Sequence, residues 1–243
     1  MRQLRTLKSR ANMINLRQHF FDNPVRQPRR GQRVADLTGL KLWSSAKPLL
    51  HHMELVVLPR LRSALATPRP LRVLELGSGC GYLGIGIAAL GEEVVLTDPA
   101  IPVNFEEEEE EGARTTLDWL QGNIDLNLEL VGARALARRL AWGNEDDEMA
   151  IKHEWCREDT SGSGFDVIVG SDLLYNPDEY DGLLHTLRTF CYRGAPALLA
   201  YPPRHPGEQR FFAAASEDFH VGLRTFGHDD ESGARSLAEL TPR

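Results

Sequence analysis

Apolar positions along the chain fall into two patterns, short continuous runs and longer stretches at helical spacing, and the two alternate. "AKPLLHHMELVVLPRLRSAL", Ala46 to Leu65, carries apolar residues at near-helical spacing. Pro48 sits early enough for a first turn and Pro59 marks a kink or break, so the segment predicts one or two helices. "LRVLEL", Leu71 to Leu76, is a short apolar strand running into the glycine cluster "GSGCG". "YLGIGIAAL" then has helical length, Gly91 suits a C-terminal cap, and "EVVLTD", Glu93 to Asp98, predicts a second strand.

A strand, glycine loop, helix and strand in this order form the βαβ unit of a doubly wound parallel sheet. The pattern continues with a helix over about Thr115 to Val131, a strand around "ALARRLAW", and a polar stretch, Gly143 to Gly164, that reads as a long loop. "FDVIVGSD" is a strand buried on both faces, "EYDGLLHTLRTF" is helical, and "APALLAY" is a further buried strand. A helix "GEQRFFAAASED" and two weaker strands, near Phe219 to Phe226 and Arg235 to Leu240, close the chain. The fold class that follows is α/β, a doubly wound, mostly parallel sheet in a three-layer αβα sandwich.

At 243 residues, 42% hydrophobic and 26% charged, the chain has the composition of a globular protein with one sizeable core. No apolar run has the length of a membrane span, and no secretory signal is evident near the N-terminus. Cys80, Cys156 and Cys191 are scattered and odd in number, which suits a reducing compartment and offers no metal-ligand spacing. The net charge of −7 is uneven: residues 1 to 34 hold nine Lys or Arg against the single acid Asp22, which leaves 19 basic and 34 acidic residues in the remainder. That division separates a basic segment, 1–34, from a domain, 35–243. The head is expected to be a solvated tail, with a mitochondrial presequence or a nucleic-acid arm as alternatives. The run Glu106 to Glu111 repels itself and reads as a solvated insertion, or else as an acidic lip that steers a basic protein substrate.

The glycine loop "ELGSGCGYLG" admits two parses. Gly79, Gly81 and Gly84 satisfy the dinucleotide fingerprint, with Asp98 near the place of a ribose carboxylate, so an NAD-dependent oxidoreductase fits the spacing. The second parse puts Glu75 two residues before Gly77. A carboxylate there opposes a pyrophosphate but suits a ligand with positive charge, such as S-adenosylmethionine, which carries a sulfonium and an α-ammonium and no phosphate. The second parse is favoured.

The chain resembles the seven-β-strand S-adenosylmethionine-dependent methyltransferases, and more closely their protein-lysine methyltransferase branch, methyltransferase family 16. The resemblance covers about residues 36 to 242 and rests on "TGLKLWSSAKPL", "VLELGSGCGYLGI", "VVLTD", "NIDLN", "LAWG", "FDVIVGSDLLYNP", and "LLAYPPR" followed by "EQRFF", in that order. It implies a cofactor pocket formed by Trp43, Glu75, Gly77, Ser78, Gly79, Asp98, Trp142 and Ser171, with Asp98 on the ribose and Trp142 against the adenine. Asp172 and Tyr175 match the branch's Asp-x-x-Tyr signature and are the implied catalytic residues; neither a metal nor a membrane is implied. The expected reaction is methyl transfer to a lysine nitrogen of a protein substrate by a cytoplasmic or nuclear monomer, with a mitochondrial location as the alternative. Methylation of protein histidine or arginine, or of a small molecule, is the neighbouring reading. An idle methyltransferase fold acting as a binding module is the reading from a different class. The Glu106 to Glu111 insertion and the segment Gly143 to Gly164 are longer than the resemblance leads one to expect.

Overall fold

The computed structural model describes residues 37–102, 115–155, 164–191, 194–203, 207–229 and 233–243. The basic segment 1–34 and the run Glu106 to Glu111 lie outside these. After a 3-10 turn, Leu37–Leu40, the order is α1 (Ala46–His52), α2 (Leu58–Ala64), β1 (Arg72–Leu76), α3 (Tyr82–Ala89), β2 (Glu93–Asp98), α4 (Thr116–Leu126) and α5 (Leu128–Val131). There follow β3 (Ala135–Arg139), α6 (Glu145–Trp155), β4 (Val167–Ser171), α7 (Tyr180–Phe190), β5 (Ala197–Tyr201), α8 (Gly207–Ala215), β6 (Phe219–Asp229) and β7 (Gly233–Pro242).

The strands form one seven-stranded sheet in the order β3-β2-β1-β4-β5-β7-β6. β1 pairs in parallel with β2 and β4, whereas β7 runs antiparallel to both β5 and β6. The apolar runs of the central strands are explained by burial on both faces. In β1, Val73 packs with α1, α2, α3 and α4 on one side, while Leu74 and Leu76 pack with α6, α7 and α8 on the other. β4 and β5 alternate in the same way, with Val167 and Val169 against Ile168, and Leu198 and Ala200 against Leu199. Each fully buried leucine or valine stabilises the sandwich by about 1.5–3 kcal/mol. β1 lies between β2 and β4, so the crossovers leave it in opposite directions. A crevice opens there at the carboxyl ends of the strands, where open α/β sheets hold ligands.

Two expectations need correction. The segment from Gly143 was read as a loop for want of apolar periodicity, yet Glu145–Trp155 is helical. The Asn144 side chain accepts from the Asp147 amide at 3.0 Å, four acids fill the first turn, and Lys152 and His153 lie in the last, an arrangement that complements the helix dipole. Its inner face carries Ile151 together with Asp147 and Glu148, so polar anchors replace the apolar stripe. Pro59 lies in the first turn of α2, so the expected interruption of the helical pattern falls directly before it. A single π-helical turn, Met53–Val57, joins α1 to α2. The two weak terminal strands are longer than their apolar pattern suggested, because each is held by antiparallel pairing to the other.

Candidate active site

The loop after β1 is built from backbone conformations that favour glycine. Gly77 and Gly79 have φ of +57° and +52°. A Cβ on Gly77 would stand 2.8 Å from Leu173 Cδ2 and 3.1 Å from Trp142 Cζ2, and one on Gly79 would stand 2.9 Å from the Gly39 carbonyl oxygen. Substitution is therefore opposed both by the dihedral and by the close approach of other chain segments. Ser78 ties the loop to β2: its amide donates to the Thr97 carbonyl at 2.7 Å, and its Oγ accepts from the Thr97 amide at 3.0 Å.

Two carboxyl groups lie beneath this loop. Glu75 is buried, and its Oε2 accepts from the Gly84 amide in α3 at 3.0 Å. Burial pushes its pKa up to about 8; hydrogen bonds from Ser78 and Gly84 oppose the rise, and the nearby Asp98 charge adds to it. Asp98, at the end of β2, is also buried and is held by the Thr116 hydroxyl and by the Ala100 amide at 3.3 Å. Burial raises its pKa as well, against the hydrogen bonds of Thr116, Ala100 and Gly79.

The end of β4 turns sharply. Asp172 adopts φ +59°, a left-handed conformation rare for a residue with a side chain. Its carboxylate reaches the segment before α1, where Oδ2 accepts from the Ser45 amide at 2.8 Å and Oδ1 from the Ser45 hydroxyl at 3.0 Å. Asp172 thus caps α1 from a strand 127 residues away in sequence. Ser45 does not cap the helix with its own side chain. An ionised carboxylate accepts about four hydrogen bonds, and the Ser45 pair fixes the plane in which the others lie.

Trp142 follows β3 and is fixed from behind. The Gly143 amide donates to the Thr186 hydroxyl at 2.9 Å, which donates to Glu148 Oε1 at 2.7 Å. A Cβ on Gly182 would lie 2.8 Å from the Trp142 carbonyl oxygen, so α7 packs directly against this turn. Glu148 belongs to α6, the helix that polarity had disguised.

All ten residues singled out from the sequence, Trp43, Glu75, Gly77, Ser78, Gly79, Asp98, Trp142, Ser171, Asp172 and Tyr175, line one cavity of about 330 Å³. A second cavity of about 160 Å³ adjoins it, walled by Trp43, Asp172, Leu174, Tyr175, Tyr201, Pro202 and Glu208. Trp43, Asp172 and Tyr175 belong to both. Several contributors were not foreseen: Thr116 and Gly39 on the larger cavity, Ser45 behind Asp172, and Tyr201 and Glu208 on the smaller one. Gly39 and Ser45 lie within "TGLKLWSSAKPL", Tyr201 within "LLAYPPR" and Glu208 within "EQRFF", yet none of them carried an expected role; Thr116 lies outside the quoted motifs. No group of three or more His, Cys, Asp or Glu that could hold a metal ion is present among the described residues.

A family model described as lysine methyltransferase matches residues 30–218, most of the chain. The chain belongs to this lysine methyltransferase family. Within the family it is similar to mouse protein N-lysine methyltransferase METTL21A, 27% identical over 202 residues that cover 83% of this chain and 77% of that protein. It is also similar to mouse EEF1A lysine methyltransferase 3, 27% identical over 185 residues, 75% of this chain and 65% of the relative. Among solved structures, the METTL16 methyltransferase domain superposes with a TM-score of 0.54 at 10% identity, covering 82% of this chain and 69% of that one. The predicted O-methyltransferase Atu636 of Agrobacterium tumefaciens gives 0.50 at 16% identity, covering 75% and 78%. Those two likenesses establish the fold of this lysine methyltransferase family member, an α/β methyltransferase sandwich.

Proposed function

We propose that the protein is an S-adenosylmethionine-dependent methyltransferase that modifies a lysine side chain of a protein substrate. One observation carries the reading: two buried carboxyl groups, Glu75 and Asp98, lie under a glycine loop in the larger cavity, which meets a second cavity at Asp172, Trp43 and Tyr175. The chemistry of the larger cavity fits the methyl donor. Acids at its floor repel a pyrophosphate and suit a ligand with a positive sulfonium and ammonium, which disfavours the dinucleotide parse. S-adenosylmethionine, when bound, supplies a methyl group already activated for displacement by a nitrogen.

The chain's own residues then bind and orient. Gly77 and Gly79 would let the backbone approach the ligand, Asp98 would accept from its ribose hydroxyls, and Glu75 would offer a carboxylate to its positive charge. The Trp142 indole offers a flat face for the adenine. Ser171 contributes to the wall beneath it. At the junction of the cavities, Asp172 orients the incoming nitrogen as a hydrogen-bond acceptor. It is a poor general base, because a neighbouring carboxylate stabilises an ammonium and raises its pKa above the usual value of about 10.4. The apolar walls and the donor's positive charge act in the opposite direction, favouring the neutral amine, and its proton leaves to water. Tyr175, 49% exposed, forms the outer wall at that junction.

The buried thiols of Cys80 and Cys191, which burial pushes up to about 11 and about 12, suit a reducing compartment, and the cytoplasm is the location we assign. Calorimetric titration with S-adenosylmethionine, S-adenosylhomocysteine and NAD tests the cofactor; binding of NAD alone sinks the reading. Transfer of labelled methyl to proteins of a cell extract, followed by amino-acid analysis, tests the acceptor, and label on histidine or arginine in place of lysine overturns that half.

A further inference from the structure

Trp142 stands on the turn 141–144 between the edge strand β3 and α6, closed by the Asn144 amide, which donates to the Ala141 carbonyl at 3.0 Å. The amides on either side of Trp142 both end on adjacent acids of α6. The Ala141 amide donates to Asp147 Oδ2 at 3.0 Å. The Gly143 amide reaches Glu148 Oε1 through the Thr186 hydroxyl, in steps of 2.9 and 2.7 Å. Each acid is itself held. Glu148, 3% exposed, accepts from the Thr189 hydroxyl at 2.9 Å through Oε2, which lies 3.3 Å from His185 Nε2. Asp147 is anchored through its own amide, which donates to Asn144 Oδ1 at 3.0 Å, and its Oδ1 lies 3.7 Å from Arg139. Gly143 has φ +77°, and a Cβ there would stand 3.1 Å from the Gly182 Cα, so the turn is pressed against α7 as well.

An aromatic wall stacks on a flat ligand only while its plane is held. An indole on a loose turn gives up backbone and side-chain freedom when the ligand arrives, and affinity falls by that amount. Hydrogen bonds to both neighbouring amides remove that freedom beforehand. We propose that Asp147 and Glu148 are positioning residues for the methyl donor: they fix the backbone on both sides of Trp142, with Thr186 as the relay, and so hold its indole ready for the adenine. The proposal rests on the reading of the protein as an S-adenosylmethionine-dependent methyltransferase and deepens it, since it names what prepares the adenine side of the cavity. Neither acid lines the cavity, so both act through the turn. Both come from the segment after Gly143 that is longer than the resemblance leads one to expect, and α6 thereby gains a part in donor binding without touching the donor.

Two substitutions of the buried Thr186, made in the full chain, separate positioning from packing. Thr186→Val keeps the shape and deletes the hydroxyl, which leaves the Gly143 amide without its partner; Thr186→Ser keeps the hydroxyl and deletes a buried methyl. Calorimetric titration with S-adenosylhomocysteine should show affinity about ten-fold weaker for Thr186→Val and within about two-fold of wild type for Thr186→Ser. With 5-fluorotryptophan incorporated, the Trp142 fluorine line, assigned with Trp142→Phe, should shift or broaden in ligand-free Thr186→Val and keep its position in Thr186→Ser. A merely structural role predicts the reverse order or an equal loss in both variants, and either result overturns the proposal. Wild-type affinity in Thr186→Val overturns it equally. If Thr186→Val does not fold, Asp147→Ala against Asp147→Asn, which keeps an acceptor oxygen, puts the same question to the Ala141 amide; the same gap is expected and its absence overturns the proposal. Wild-type protein that fails to bind S-adenosylhomocysteine overturns the methyltransferase reading and this proposal with it, whereas a binding wild type with indifferent variants overturns this proposal alone.

Discussion

Glu75 and Asp172 stand at or just beyond the carboxyl ends of two adjacent parallel strands, β1 and β4, and both line the larger cavity. They are held in opposite ways. The partners of Glu75 are close in sequence, the Gly84 amide nine residues on and the Ser78 hydroxyl. Asp172 depends on Ser45, 127 residues away, and on a left-handed backbone. A carboxyl group fixed by its own loop is present once the βαβ unit forms. One fixed across the molecule is in place only when α1 has docked against the sheet. Donor binding and methyl transfer are therefore separable by mutation, with the first resting on local structure and the second on tertiary contacts.

The sharpest break of this comparison is Asp172→Ala. Labelled methyl transfer should fall by about 10²-fold, since the acceptor loses its orienting group and α1 its cap, while calorimetry should find S-adenosylhomocysteine affinity little changed. A variant that transfers methyl at nearly the wild-type rate removes Asp172 from the mechanism. On the other carboxyl's side, Gly79→Ala should cost about 1–3 kcal/mol in denaturant unfolding and weaken the donor, because the new Cβ meets a backbone carbonyl at a positive φ.

Glu75→Gln sharpens the electrostatic half. Folding raises the Glu75 pKa from 4.5 to about 8, so the folded protein holds the proton more tightly than the unfolded chain. Its contribution to stability is fully present below 4.5 and is lost as pH rises through about 8. The unliganded variant should therefore lose less stability than wild type between about pH 5 and about pH 8.5, as measured by urea titration at each pH. Its affinity for S-adenosylmethionine at neutral pH should drop by about ten-fold, the loss of one compensated charge. Wild-type affinity for that cation should rise with pH as Glu75 ionises; a flat profile contradicts a direct role. The smallest effect belongs to Ser45→Ala, which deletes one of the two bonds to Asp172 and should cost about 1 kcal/mol. Methyl transfer should slow a few-fold, donor affinity should hold, and a double-mutant cycle with Asp172→Asn should show coupling.

Legibility in the sequence followed the same division. The glycine loop, its two flanking strands and the acids Glu75 and Asp98 were readable because their spacing within one βαβ unit sets their positions. Trp142, Asp172 and Tyr175 came from motif order, and their meeting in one cavity is a result of the sheet order, β2-β1-β4. The helix α6 escaped because it buries Asp147 and Glu148 beside Ile151, and polar anchors leave no apolar period. Thr116 on Asp98, Ser45 on Asp172, and Glu208 on the second cavity carry no local signal: each is an ordinary first-turn or pre-helix residue until its partner arrives from elsewhere in the chain.

By itself the sequence determined the alternation of strands and helices, the tight turn at Gly77 and Gly79, and the acid two residues before it. These depend on backbone sterics and on side-chain periodicity over a few residues. Only the tertiary structure decided that Asp172 faces Ser45 in place of standing alone, that Trp142 is pinned through Thr186 to Glu148, and that a second acidic cavity opens beside the first. Those features depend on distances between segments far apart in the chain, which packing of two apolar layers on one sheet sets and no local pattern encodes.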